Sequence, residues 1–437
     1  MPPNTKLIVS ITLLVEWTGH PVGVVRTIYE LVQYLHTNEK DVVFCYFPAG
    51  KSELVPLAPS ELEMLLHRFS HAKKDAPKAG ITQSLKWYIK TFSVRKLLAI
   101  FPPSIQHFLL HNRLVLKAWH RYAAHKRAAS RSQANETQTV FSASDHLLLL
   151  DILAPEPCLA WLYEMKKQYQ LQVSAIGYDV IPLSHSHYFE GLSFVERFEK
   201  WFYHLNHVCD KIICISEAAK KGFITENAKR HYQHQPRLHT ITLGDTIQSE
   251  GKAPAAPLPA NFILYVSTIE IRKNHKTLLD AYLLAEQRGI AMSDLLCVGR
   301  QGWKVDALYQ QYHASPYLMR KIHFLHNISD EELAYLYRKC LFCVFPSDVE
   351  GWGLAAAEAL GYGKICLLSE DPALYEASRG LMPQISTFDA EKWLQSIQDF
   401  STNTTLRQEY ETSIAEHYTV RHWEDFAKEC YDFLKEA

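Results

Sequence analysis

The 437-residue sequence has no long apolar run, no dominant charge and no paired-cysteine pattern. The run 147–150 stops at Asp151, far short of the ~20 apolar residues that a bilayer-spanning helix needs. No transmembrane helix is expected. The stretch 6–15 is apolar, but no basic leader with a cleavage site precedes it and Glu16 closes it. It reads as a first core strand rather than a signal sequence. The formal net charge is −1, so no global field points to nucleic acid. Nine cysteines are an odd number, and Cys45, Cys214, Cys297, Cys343 and Cys366 sit in apolar runs. Reduced core cysteines of a cytoplasmic protein look like this. Cys340 and Cys343 form a C-x-x-C with no second pair nearby, which argues against a zinc or redox centre. The histidines are scattered without a paired helical metal-ligand motif, and no Asp-x-Asp ends a strand. No metal and no cofactor are expected.

What is present is apolar content, 47% of the chain, enough for substantial cores. The length favours two domains. Strand-like runs fall at 6–14, 41–46, 173–178, 211–215 and 239–243, then at 262–266, 295–298, 322–325, 341–345 and 365–368. Helical patterns lie between them, as at 24–36, 276–287, 330–339 and 354–360. This alternation predicts an α/β protein of two Rossmann-like domains with parallel sheets, and ligands beyond the carboxyl ends of the strands. The Ala/Pro-rich stretch 248–261 reads as a linker between an N-terminal domain, 1–247, and a C-terminal one, 262–418. The end, 419–437, carries an amphipathic helix that could pack on either domain.

One segment stands apart. Residues 78–131 hold eleven basic side chains and no acidic one, mixed with Trp87, Tyr88, Phe92, Phe101, Phe108, Trp119 and Tyr122. A basic helical insertion at about 78–135 with aromatic anchors suits an anionic membrane surface. The alternatives are a solvated insertion balanced by acidic residues elsewhere, and nucleic acid, for which no recognition motif is present.

The most informative stretch runs from Glu350 to Glu358. An apolar strand feeds Pro346-Ser347-Asp348, then Gly351-Trp352-Gly353, then an alanine-rich helix start at Leu354. Unpaired amides at a helix start favour an anion, and glycine lets it approach. Carboxylates suit hydroxyl groups, so the ligand should carry phosphate and polyol together, as a nucleotide-sugar does. Arg272 and Lys273, expected at the carboxyl end of the strand 262–266, supply the cations that a diphosphate needs.

Four motifs, Val266-Ser267-Thr268-Ile269-Glu270-Ile271-Arg272-Lys273-Asn274, Cys297-Val298-Gly299-Arg300-Gln301-Gly302-Trp303, Ser329-Asp330-Glu331-Glu332-Leu333-Ala334-Tyr335-Leu336-Tyr337 and Phe345-Pro346-Ser347-Asp348-Val349-Glu350-Gly351-Trp352-Gly353-Leu354, resemble in this order the retaining glycosyltransferases of family 4. The Glu-x7-Glu spacing is the most specific element. Trp17 to Arg26, Gly177 to Leu183, Ile213 to Ala218 and Leu243 to Asp245 are similar to the family's first domain, more loosely. The resemblance implies a GT-B fold, two Rossmann-like domains facing a central cleft, with the donor held by the second domain and the acceptor by the first. It implies Glu350 at the donor sugar, Glu358 at the ribose, and Arg272 and Lys273 at the diphosphate. It places Gly351, Trp352, Gly353 and Leu354 at the sugar and phosphate, Leu325 and Ile328 near the nucleobase, and Gly23 where a helix start meets the phosphate. Cations and helix dipoles then stabilise the leaving group without a metal.

Three departures stand out. Ser267 replaces a usual glycine, Thr268 replaces an arginine that some members carry, and Tyr178-Asp179 stands where many have a histidine, with His185 and His187 later. Asp179 is the candidate for contact with acceptor or sugar, or else a strand-end cap. The motif style is most like transferases of bacterial surface polysaccharides, often mannosyltransferases, which makes GDP-mannose the first guess for donor. The implied acceptor is a glycan or lipid-linked hydroxyl, and the implied setting is cytoplasmic, peripheral to the inner face of the cell membrane. Two alternatives stay open: a non-catalytic nucleotide-sugar-binding subunit, and a sugar-nucleotide epimerase or phosphorylase of the same fold.

Overall fold

The computed structural model describes residues 5–17, 23–70, 141–143, 145–153, 156–247, 249–255 and 257–436. The chain forms two compact units. One comprises Met1–Trp17, Pro21–Leu57 and Val140–Ala437; the other comprises Thr18–His20 and Ala58–Thr139. Of the second unit only the helix Pro59–Ser70 and its approach are described. The basic aromatic segment 78–131, and with it the expected membrane contact, lies outside the described residues, as do residues 18–22 of the glycine loop.

Both sheets belong to the first unit. The first contains β1 (Leu7–Ser10), β2 (Val42–Tyr46), β3 (Val55–Pro56), β4 (His146–Leu149), β5 (Gln172–Gly177), β6 (Lys211–Cys214) and β7 (Arg237–Thr240), in the order β3-β2-β1-β4-β5-β6-β7. Every pair is parallel except β2 with β3. β1, β4 and β6 are buried along their whole length, as strands covered on both faces must be, and so are mostly apolar, with Ser10, His146 and Lys211 at their ends. The run 147–150, too short for a membrane, supplies most of the central strand β4.

One expectation fails here. The strand read at 6–14 ends at Ser10, and Thr12–Glu16 is a helix. Asp151 is the cause. Its carboxylate accepts from the backbone N–H of Leu13 (2.6 Å) and from the Ser10 hydroxyl, satisfying an amide that a new helix start leaves unpaired. The apolar pattern is blind to a partner that arrives from 138 residues away.

The second sheet contains β8 (Phe262–Val266), β9 (Asp294–Val298), β10 (Ile322–Leu325), β11 (Cys343–Phe345), β12 (Cys366–Ser369) and β13 (Gln384–Ile385). Its order is β10-β9-β8-β11-β12-β13, all parallel. β8 and β10 have the predicted bounds, and the helix Asp330–Lys339 does too, fixed by a capping box between Ser329 and Glu332. Trp393, Tyr265, Tyr282, Tyr337 and Phe342 are fully buried around this sheet. All nine cysteines are buried and free. The Cys340 and Cys343 sulfurs lie 3.8 Å apart, and burial pushes the Cys343 thiol well above its usual range.

The last helix, Trp423–Lys435, packs against Val24–Asn38 of the first half. It buries Trp423, Phe426, Ala427, Cys430, Phe433 and Leu434, one face at helical spacing. Asp245, after β7, ties the chain leading into it by accepting from Arg421 N–H (2.9 Å) and the Tyr418 hydroxyl (2.7 Å). Among the described residues no helix is long and apolar enough to cross a membrane.

Candidate functional site

The chemistry gathers at the carboxyl ends of β8 and β11. After β8 the chain makes a tight turn over Ile271–Lys273 and then enters the helix His275–Gln287 through Asn274, at φ +53°. Asn274 is buried and works as a lock. Its side-chain amide donates to the carbonyls of Pro346 (3.2 Å) and Thr387 (2.8 Å), and its oxygen accepts from Thr277. Asp348 N–H donates to the Arg272 carbonyl (3.0 Å), so the two loops are stitched side by side.

That stitching brings Arg272, Lys273 and Glu350 together. Arg272 lies 3.1 Å from one oxygen of Glu350 and 2.9 Å from Glu270; Lys273 bonds the other oxygen of Glu350, which Ser347 Oγ also donates to. Arg272 donates to the Val349 carbonyl as well. These side chains are between 3% and 14% exposed, so their charges are poorly screened. Burial alone would raise the pKa of Glu350, but the charges of Arg272 and Lys273 outweigh it and hold the carboxyl at about 2. Its contribution to stability is therefore complete above the ordinary carboxylate value and lost as pH falls toward 2. Lys273 is shifted down by burial, against the pull of Glu350.

The glutamate loop is held from below. Asp371, 5% exposed, accepts from Glu350 N–H (3.3 Å) with one oxygen and caps the helix Pro372–Ala377 with the other. Burial, then the charge of Glu350, pushes Asp371 up to about 6. Gly353 caps the helix Leu354–Gly361 at φ +102°, and a Cβ there would stand 2.5 Å from Leu374. Only glycine fits such a backbone. Trp352 is buried, its indole N–H without a hydrogen-bond partner among the described residues, and Leu354 is half-buried at the helix start.

The first half meets this loop directly. A Cβ on Gly351 would lie 2.8 Å from the Tyr178 carbonyl and 3.1 Å from Asp179 Cβ. Asp179 is raised by burial, with Arg272 opposing, and also accepts from Ile181 N–H (3.0 Å). The cap is thus observed for it, and it stands beside Gly351 within the field of the charge cluster. Ser216, the cap of the helix Glu217–Lys229, donates to the Gly351 carbonyl (2.6 Å). Glu376 accepts from Glu217 and Ala218 N–H, and Tyr188 donates to Asp348 (2.5 Å). His185 bonds Ser184, and His187 packs on the Tyr188 ring.

Glu358 forms a second centre. It is buried on the helix Leu354–Gly361 and accepts from the Tyr337 hydroxyl (3.0 Å). Burial raises it to about 7, with the charge of Arg26 opposing. Arg26 lies in the first turn of the helix that Gly23 caps at φ +53°, and it pairs with Asp330 of the second half (3.1 Å). Leu325 ends β10 and accepts from Gly299 N–H; Ile328 follows, half-buried, just before the Ser329 cap. Of the residues singled out in the sequence, Arg272, Lys273, Glu350, Gly351 and Asp179 therefore come together. Glu358 and Gly23 sit near Arg26, and Leu325 and Ile328 lie on the loop leading to the helix of Tyr337.

Residues 247–411 match the family described as Glycosyl transferases group 1. The match covers the whole second sheet and the loops at the ends of β8 and β11. Among curated proteins it is 29% identical over 280 residues to the serotype-specific mannosyltransferase WbdA of Escherichia coli, covering 58% of this chain and 34% of that protein. It is 33% identical over 180 residues to the O-antigen chain mannosyltransferase B of the same species, covering 38% and 46%. The chain thus spans about a third of the length of the first of these relatives. Among solved structures, sucrose-phosphate synthase from Thermosynechococcus elongatus superposes with a TM-score of 0.59 at 15% identity, over 98% of both chains. Anabaena Alr3699/HepE, solved with UDP and glucose, superposes with 0.59 at 14%, over 99% of this chain and all of that one. The fold is GT-B, as the motifs imply.

Sequence reasoning missed several parts of this site. Asp371 was legible only as an Asp-Pro helix start, and Ser347 only as a neighbour of Glu350. Glu376, Ser216 and Tyr188 act across the two halves, and nothing in their local sequence says so. The serine at 267 has no structural explanation, but Gly299 beside it does: a Cβ there would stand 1.8 Å from the Ser267 carbonyl oxygen. Gly299→Ala is expected to cost about 2 kcal/mol or more of stability, read as a lowered denaturant midpoint.

Proposed function

We propose that this chain transfers a sugar, mannose first, from a nucleoside-diphosphate sugar to a hydroxyl of a glycan or lipid-linked acceptor, with retained configuration. The observation that carries the reading is the buried cluster at the ends of β8 and β11, where Arg272 and Lys273 converge on Glu350. Two cations beside a helix start suit a diphosphate, and a carboxylate held ionised suits sugar hydroxyls. The mannosyltransferase names of the relatives support the choice of sugar.

In this reading the diphosphate takes Arg272 and Lys273 from Glu350. The freed carboxylate turns to the hydroxyls of the donor sugar, and amides from Gly351 to Leu354 face the sugar and phosphate. Glu358 holds the ribose, Leu325 and Ile328 flank the base, and the helix start at Gly23 meets the phosphate from the first half. The two cations and the helix dipoles stabilise the departing diphosphate in a water-poor site. We favour front-face transfer, in which a leaving phosphate oxygen accepts the acceptor's proton and Glu350 stabilises the cationic sugar without bonding to it. Asp179 contacts the acceptor in this scheme. The acceptor's lipid and the segment 78–131 would put the protein on the cytoplasmic face of a membrane.

The test is an assay with GDP-mannose and mannose-ended oligosaccharides, followed by mass spectrometry. The expected product is the acceptor plus one hexose, with one GDP released for each. Donor consumption without any acceptor would replace transfer by an epimerase-type reaction. Nucleotide-sugar binding with no transfer to any acceptor would make the chain a binding subunit.

A further inference from the structure

We propose that Tyr337 is a positioning residue that aims the Glu358 carboxylate at the ribose of the donor nucleotide. The inference rests on the assignment of Glu358 to the ribose. A carboxylate reads a pair of neighbouring hydroxyls only if its plane and free oxygen are fixed. The Tyr337 hydroxyl donates to one oxygen of Glu358 at 3.0 Å, and also lies 3.2 Å from the Ala355 carbonyl one turn earlier on the same helix. A single proton goes to the charged and closer acceptor.

Tyr337 itself has no freedom. It is fully buried, and its ring stacks on Tyr362 at 5.3 Å and 14°. It belongs to the helix Asp330–Lys339, whose capping box follows Ile328 and whose first residue pairs with Arg26. One rigid helix therefore connects the loop assigned to the base with the carboxylate assigned to the ribose. Arg26 does not replace Tyr337, because its hydrogen bonds go to Glu30 and Asp330 and it acts on Glu358 through charge.

The environment makes the contact visible to pH. Burial lifts Glu358; Arg26 on the helix Val24–Asn38 and the Tyr337 hydrogen bond lower it, while Asp330 and Asp245 raise it. Tyr362 and Tyr418 face the same carboxyl. The ionised form accepts from ribose hydroxyls, so nucleotide binding should tighten as pH rises through about 7. Removing the tyrosine hydroxyl removes a contact that favours ionisation, so the midpoint must move up.

The experiment is calorimetric titration of GDP, UDP and ADP into the wild-type protein, Tyr337→Phe, Glu358→Gln and the double variant, from pH 6 to 8.5. For the tightest nucleotide, Tyr337→Phe is expected to weaken binding about threefold to tenfold at pH 7 and to shift the midpoint upward. Comparing variants with the same nucleotide cancels the titration of its own phosphate. In the Glu358→Gln background the same change should add nothing, as coupled residues do. Equal losses in both backgrounds, or an unmoved midpoint, reduce Tyr337 to packing and overturn the proposal. Wild-type binding by Glu358→Gln instead removes the ribose assignment beneath it, and no binding of any of the three nucleotides removes both.

Discussion

Glu350→Gln is expected to cut sugar transfer about tenfold or more while tightening the binding of the nucleoside diphosphate. The two effects come from one geometry. Arg272 and Lys273 both bond Glu350, so a diphosphate must compete with this carboxylate for the two cations. It must also approach a negative charge that is held ionised, with a pKa of about 2. Glutamine keeps an acceptor oxygen for Ser347 and removes the charge. Two unit charges a few ångströms apart interact by about 3–4 kcal/mol at an effective dielectric of 20, so even partial relief gives several-fold tighter nucleotide binding. Transfer still falls, because the sugar loses the charge that stabilises its cationic transition state. Lys273 loses its charged partner as well, which should lower the melting temperature, and added nucleotide should restore it. Loss of transfer with unchanged or weakened nucleotide affinity would show that Glu350 does not compete for the cations.

Lys273→Ala should act in the opposite sense on the nucleotide. Nucleoside diphosphate affinity and transfer should both fall about tenfold or more, since a charge-assisted contact to phosphate is gone. The fold should survive. Glu350 keeps Arg272 at 3.1 Å and the Ser347 hydroxyl, so no unpaired buried charge is left behind. Lysine is itself shifted downward by burial, which makes its removal cheaper than that of Arg272. Stopped-flow or steady-state kinetics with melting curves separate the cases. Near-normal transfer with intact melting would remove Lys273 from the site.

Much of this architecture is legible in the sequence alone. β8, β10 and the helix Asp330–Lys339 fall where apolar period and capping chemistry put them, because burial on both faces and a Ser-x-x-Glu start leave few alternatives. The meeting of Arg272 and Lys273 with Glu350 follows from topology, since both loops leave adjacent parallel strands at the same edge. What local sequence does not carry is the long-range polar partner. Asp151 turns the end of a predicted strand into a helix, and Asp371, Glu376 and Tyr188 anchor loops that lie far away in sequence. Each is an ordinary acidic or aromatic residue whose meaning depends on what the fold brings to it. Asp179 shows the same limit: its neighbours allow both a cap and a substrate contact, and only Arg272 and Gly351 beside it favour the second.

In the proposed function this site holds a nucleoside-diphosphate sugar through Arg272, Lys273, Glu350 and Glu358. A thermal-shift titration tests it most directly, using GDP, UDP and ADP with their hexose conjugates on the wild-type protein, Lys273→Ala and Glu358→Gln. One nucleotide family, GDP and GDP-mannose first, is expected to raise the melting temperature of the wild type with saturation. Both variants are expected to lose most of that rise while melting near the wild-type temperature without ligand. No shift with any nucleotide, or an equal shift in all three proteins, would contradict it.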